Sequence, residues 1–118
     1  MPTGIHDPKC PVSAALKLIG AKWKIVILYN LMQGTKRFGE LQKLLPGITQ
    51  KMLAMRLREL EQDQMVERKV YAVVPPKVEY TLTDLGRSLK TVIEEMHSWG
   101  SDLKKPVIKK KKKSPPLP

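Results

Sequence analysis

The chain has 118 residues, with 22 Lys and Arg against 11 Asp and Glu and a formal net charge of +11. That length suits one domain with an extension, and that charge suits a polyanionic partner. One cysteine, Cys10, and two scattered histidines, His6 and His97, exclude an intrachain disulfide and a multi-thiolate zinc site. No apolar run nears the roughly 20 residues of a membrane span. A basic-then-apolar leader pattern is also missing, so a cytoplasmic protein is expected.

The basic charge is uneven. Lys104, Lys105 and Lys109 to Lys113 hold seven of the 22 basic residues, leaving 15 basic against 11 acidic residues in 1–103, a net of +4. Three regions follow: a loose Pro/Gly-containing arm over 1–9, a folded domain over 10–103, and a disordered basic Lys/Pro-rich tail over 104–118, where like charges repel. Aromatic residues make up only 5% of the chain, so the core should be aliphatic and rich in Met.

Within the domain, Pro11 suits the first position of a helix. Val12, Ala15, Leu16 and Ile19 give that helix an apolar face, and Gly20 is expected as its C′ residue. A second helix is predicted from about Ala21 to Gln33; Trp23, Ile25, Val26, Ile27, Leu28, Leu31 and Met32 make it apolar nearly all round, so it belongs in the middle of the core. Thr35-Lys36-Arg37-Phe38 leads into a short third helix with Leu41, Leu44 and Leu45 at helical spacing, closed by Pro46-Gly47. A tight Gly-containing turn then joins it to a fourth helix, the pattern of a helix-turn-helix.

The fourth helix, Thr49 to Gln62, organises the rest. Thr49 can cap it. Leu53, Leu57 and Leu60 line one face, while Lys51, Met55, Arg58 and Gln62 occupy the other, with Ala54 at its margin. A basic, amide-bearing face on a helix held by its apolar side is what the major groove of DNA requires. Gln50 can pair with adenine through two hydrogen bonds, Lys51 and Arg58 can donate to guanine, and Ala54 and Met55 can touch a thymine methyl. The alternative for Lys51 and Arg58 is phosphate contact without sequence information. Arg56 lies to the side, within reach of Glu59 three residues on.

Beyond Gln62 the period changes to two. Val66/Arg68/Val70 and Val78/Tyr80/Leu82 read as two strands, with Pro75-Pro76 at the hairpin tip. A hairpin directly after a recognition helix is a wing. Lys69 and Lys77 on it, and Lys36, Arg37 and Lys43 around the third helix, are candidate phosphate contacts, with ordinary solvated side chains as the bland reading. Thr83 then caps a last, long helix of about 20 residues. Its stripe of Leu85, Leu89, Val92, Ile93, Met96, Trp99 and Leu103 exceeds what a small core can cover, so an intersubunit helix is expected over packing against the monomer's own core. The fold class is therefore α+β, mainly α.

These blocks come in a specific order: Cys10-Pro11-Val12, Ile19-Gly20-Ala21-Lys22-Trp23, Arg37-Phe38-Gly39-Glu40-Leu41, Pro46-Gly47-Ile48-Thr49-Gln50-Lys51-Met52-Leu53, Leu57-Arg58-Glu59-Leu60-Glu61 and Pro75-Pro76-Lys77-Val78-Glu79-Tyr80-Thr81-Leu82-Thr83. Over about residues 8–103 the chain resembles the HxlR-type regulators, relatives of the MarR winged helix-turn-helix proteins. The lysine-rich tail lies outside that pattern. The resemblance implies a homodimeric transcription factor that binds double-stranded DNA. Its first and last helices would form the dimer interface, here Val12, Leu16, Leu89, Val92, Ile93, Met96 and Trp99. Thr49, Gln50, Lys51, Ala54, Met55 and Arg58 would face the groove, and two half-sites would lie about 34 Å apart. Some members of that family sense redox or electrophile stress through a cysteine at the position of Cys10. Next to Lys9 and at a helix N-terminus, a thiol favours the thiolate; the alternative is an inert buried residue.

No paired carboxylates in an apolar setting, Ser/His/Asp set, phosphate-binding glycine loop or metal cluster stands in the sequence, so neither an enzyme nor a cofactor is expected. The competing function is a nonspecific architectural DNA-binding protein dominated by the tail.

Overall fold

The computed structural model describes residues 10–103; the arm over 1–9, with His6, and the basic tail over 104–118 lie outside the described residues. The order is α1 (Pro11–Ile19), α2 (Lys24–Leu31), β1 (Lys36–Arg37), α3 (Phe38–Leu44), α4 (Gln50–Gln62), β2 (Val66–Tyr71), β3 (Lys77–Leu82), α5 (Asp84–Arg87) and α6 (Lys90–Leu103). This is a winged helix-turn-helix. Among the described residues no helix is long and apolar enough to cross a membrane.

The core is aliphatic. Ile27, Leu28 and Leu31 of α2 meet Leu41, Leu45 and Ile48 from the α3 end of the helix-turn-helix, and Leu53, Leu57 and Leu60 of α4. Met65, Val66, Tyr80 and Leu82 close it from the sheet, and Ile93 from α6. Each fully buried aliphatic side chain contributes about 1.5–3 kcal/mol, which is why α2, with little polar face to offer water, takes the centre.

Four details depart from the sequence reading. First, α2 begins at Lys24, not near Ala21. Trp23 is its N-cap, with φ of 81°, a left-handed conformation. At a bulky residue this costs on the order of 1–3 kcal/mol; packing of the half-buried indole against the core offsets it. Second, Gly20 ends α1 in right-handed geometry, φ −79° and ψ −11°, so it is no left-handed C′ glycine. Its reason is space: a Cβ there would lie 2.5 Å from the Leu16 carbonyl oxygen. Third, the lead-in Lys36–Arg37 is a strand, paired through Lys36↔Tyr80 and Arg37↔Glu79, making a sheet of order β1-β3-β2. Thr35 and Thr81 join the same edge through their hydroxyls, 2.7 Å apart.

Fourth, the last helix is stepped. α5 stops at Arg87 and α6 starts at Lys90. Across the step i→i−3 bonds appear, from the Leu89 N–H to the Gly86 carbonyl and, shared with an i→i−4 bond to the Asp84 carbonyl, from the Ser88 N–H to the Leu85 carbonyl. The Ser88 hydroxyl donates to the Leu85 carbonyl as well, the kind of side-chain competition that interrupts helices. Gly86 is buried where an added Cβ would collide with the Met65 carbonyl oxygen. Thr83 caps α5 as expected, accepting from the Gly86 N–H at 3.0 Å, while its own hydroxyl donates to the Gln64 carbonyl at 2.6 Å. The junction thereby ties α5 to the foot of the wing.

Candidate nucleic-acid interface

Two glycine-dependent and side-chain caps set α4. Gly47, with φ of 94°, makes the sharp turn after α3 that only glycine adopts without strain. Thr49 then accepts the Met52 N–H at 3.0 Å. At the start of α3 the Arg37 N–H donates to Glu40 Oε1 at 2.7 Å, which fixes how the chain enters the helix-turn-helix.

With Leu53, Leu57 and Leu60 buried, the opposite side of α4 faces water. Thr49, Gln50, Lys51, Met55 and Arg58 are exposed and Ala54 is half-buried at the edge. Arg37 and Lys43 are exposed on the preceding elements, and Lys36 is half-buried in β1. The groove-facing set expected from sequence thus shares one solvent-facing side of one capped helix.

Behind that face, α4 is anchored by charges. Arg56 Nη1 donates to Glu59 Oε1 at 2.7 Å, and its Nε donates to the Lys22 carbonyl at 3.1 Å. Lys24 Nζ lies 3.6 Å from the same Glu59 oxygen, with Lys24 only 6% exposed. The Arg56 hydrogen bond, with the positive charges of Arg56 and Lys24, holds the Glu59 carboxyl below the usual carboxylate range against the opposing effect of burial. The Arg56–Glu59 pair was legible as an i,i+3 spacing. Lys24 was not: a lysine inside an apolar run signals a buried ammonium that needs an acid, but nothing in the run says which acid.

The wing divides its basic residues between two faces. The register Arg68↔Tyr80, Lys69↔Glu79 and Tyr71↔Lys77 sets Lys69 and Lys77 on one face, with Tyr71 between them. Their ammonium groups lie 5.7 and 4.6 Å from the Tyr71 ring centroid, and Lys77 also pairs with Glu79 at 3.6 Å. Arg68 and Tyr80 stand on the other face, where with Ala54, Arg58 and Glu61 they line a cleft between α4 and the wing. Arg68 is not among the DNA contacts expected from the sequence. Its signal was present, since it falls in the same period-two set as Val66 and Val70.

The other candidate surface is apolar. None of the residues of α1 is buried, leaving Val12 and Leu16 open to solvent, and on α6 Val92, Met96 and Trp99 are exposed. Two residues expected there are used otherwise. Ile93 is buried in the monomer core, and Leu89 is half-buried against it. Cys10, the N-cap of α1, makes no side-chain capping bond and is 9% exposed.

The chain matches the HxlR-like helix-turn-helix family over residues 18–107. It is 55% identical over 95 residues to the uncharacterized HTH-type transcriptional regulator YdeP of Bacillus subtilis, covering 80% of this chain and 74% of that one. Among solved structures it is similar to the redox regulator HypR. The reduced form superposes with a TM-score of 0.79 at 46% identity, covering 86% of this chain and 99% of HypR. The oxidized form gives 0.76 at 49% identity, covering 79% and 96%. A capped basic helix, a wing beside it and matches spanning both place the chain in one group: it belongs to the HxlR-like helix-turn-helix family of DNA-binding transcriptional regulators.

Proposed function

We propose that the protein is a sequence-specific regulator that acts as a homodimer on a pseudo-palindromic operator, with α4 of each protomer in the major groove. The observation that carries this is the exposed side of α4, where Gln50, Lys51, Met55 and Arg58 face solvent on a helix anchored from behind by Leu53, Leu57, Leu60 and Glu59. A recognition helix must be rigid to discriminate bases, and each good two-bond contact discriminates by about 1–3 kcal/mol. Thr49, Gln50, Lys51, Ala54, Met55 and Arg58 read the groove; Lys36, Arg37, Lys43, Lys69 and Lys77 contact backbone phosphates. Dimerisation runs through the open apolar faces of α1 and α6.

Selection of bound duplexes from a random pool at moderate salt tests the reading. The expected result is an enriched two-fold motif with half-site centres about one turn, 34 Å, apart. Tight, salt-sensitive binding with no enrichment would replace it with an architectural DNA-binding protein.

A second reading is favoured by the similarity to HypR, a redox regulator: Cys10 couples oxidation to DNA affinity. Two Cys10 thiols of a dimer and one hydrogen peroxide give a disulfide and two waters. The selected duplex should then bind differently after peroxide treatment in the wild type, with no change for Cys10→Ser. Equal behaviour of the two proteins would leave Cys10 as a buried helix cap.

A further inference from the structure

The cleft between α4 and the wing has a volume of about 350 Å³ and is lined by Ala54, Arg58, Glu61, Arg68 and Tyr80. Tyr80 is buried and ends the cleft on the core side; Arg58 and Arg68 are exposed at its mouth. They come from different elements, one from the recognition helix and one from the first wing strand.

Like Arg37, and unlike Arg56 and Arg87, these two arginines have no ion-pair partner among the described residues. Arg56 is committed to Glu59 and the Lys22 carbonyl, and Arg87 to Asp84 and the Leu82 carbonyl. Among the described residues Arg58 and Arg68 have no ion pair, although Glu61 lines the same cleft. Two unspent guanidinium groups from different elements thus line one cleft, with five N–H donors each in a planar fork that matches phosphate oxygens. On the far face of the wing the lysines are already held by Tyr71 and Glu79, so the inward face carries the freer charge.

We propose that Arg68, across the cleft from Arg58, clamps one phosphodiester of the DNA strand bordering the groove that α4 occupies. This rests on α4 being the recognition helix. The clamp sets the angle between helix and wing on the duplex, and Arg58 then serves the backbone as well as the groove. Glu61 opposes a phosphate in the same space, which keeps the clamp weak enough to release.

The test compares the full-length wild type with Arg68→Gln. On a random-sequence duplex, the slope of log affinity against log salt should fall by about 0.9 per protomer, so about 1.8 for a bound dimer. Affinity at moderate salt should drop about tenfold per protomer. The selected motif should not change. Methylphosphonate replaced singly along each strand of the selected duplex locates the contact: one linkage should weaken the wild type and leave Arg68→Gln unaffected. An unchanged slope, or equal sensitivity of both proteins at every linkage, would overturn the clamp. Because the slope is read on random duplex, the clamp and the operator reading fail separately. A wild type that binds duplex without any preferred motif removes the operator, and one that binds with an Arg68-independent slope removes the clamp. If the wild type binds no duplex at all, both fall.

Discussion

Gln50 and Lys51 are neighbours at the N-terminal end of α4, both exposed, yet their chemistry separates what each can report. An amide offers one donor and one acceptor to adenine, whereas an ammonium offers only donors and serves guanine or phosphate equally. Gln50→Ala should therefore relax selection at one base position of each half-site and cost roughly 1–3 kcal/mol on the preferred duplex alone. Lys51→Ala should reduce affinity for preferred and random duplexes together if it touches phosphate, and shift the motif if it touches guanine. Competitive binding to a panel of single-position operator variants reads both. An unchanged panel for Gln50→Ala would remove it from the base-reading set. At this scale the sequence is a good guide wherever the relevant partner is within four residues: the Thr49 cap and the Arg56–Glu59 pair follow from spacing alone. It is a poor guide to Lys24 and Trp23, because a buried ammonium and a left-handed indole-bearing residue depend on side chains from distant elements.

The helices and strands are legible for the same reason that their junctions are not. The apolar spacings of α3 and α4 and the alternation in β2 and β3 are local and periodic. By contrast, β1 has two residues, too few to show a period, and exists only because β3 offers it a partner. The step between α5 and α6 likewise depends on Gly86 fitting against Met65, a contact across twenty-one positions of chain. Between elements, the α2–α4 link through Lys24, Glu59 and Arg56 makes a prediction. Glu59→Gln strands the buried Lys24 ammonium and weakens the Arg56 hydrogen bond. With about a third of the Glu59 side chain open to water, the loss should be on the order of 1 kcal/mol, between an exposed and a buried pair. For a domain of this size that lowers the melting temperature by roughly 4–8 °C. The pH dependence has a definite sign. Because the folded-state pKa is lowered, the pair's contribution is fully present above the unfolded carboxyl value, about 4.3, and is lost as pH falls through the folded value. The gap in melting temperature between wild type and Glu59→Gln should therefore be constant near neutrality and close in acid. A gap that persists unchanged well below that window would show that the carboxylate charge is not what anchors α4.

At the scale of the whole molecule, the proposed reading gives charge and apolar surface separate parts in DNA binding. The seven lysines within 104–113 lie on one side of the chain's charge balance, so deletion of 104–118 should lower nonspecific affinity and the salt slope while the selected motif stays the same. A slope equal to the full-length value would take the tail out of the DNA interface. The apolar surface bears on the assembly. A nine-residue α1 without one fully buried side chain is held on the monomer mainly through the half-buried Ile19, and short helices depend on packing for their stability. On α6 only Ile93 is buried, while Trp99 is 68% exposed and Val92 and Met96 stand open beside it. Contiguous apolar surface of this kind marks an association site, and two helices per protomer can supply the 1,000 Å² or so that a specific interface needs. Trp99→Glu places a carboxylate in that surface without touching the core, so the variant should stay folded by circular dichroism but halve in mass by light scattering at micromolar concentration. Its affinity for a single half-site should remain close to wild type, because α4 and the wing are untouched. Affinity for the full operator should collapse toward that of the half-site, because the second helix no longer arrives attached to the first. A Trp99→Glu protein that keeps its dimeric mass and its operator affinity would move the interface off α6. The two protomers would then have to meet elsewhere, and the spacing of their recognition helices would lose its structural explanation.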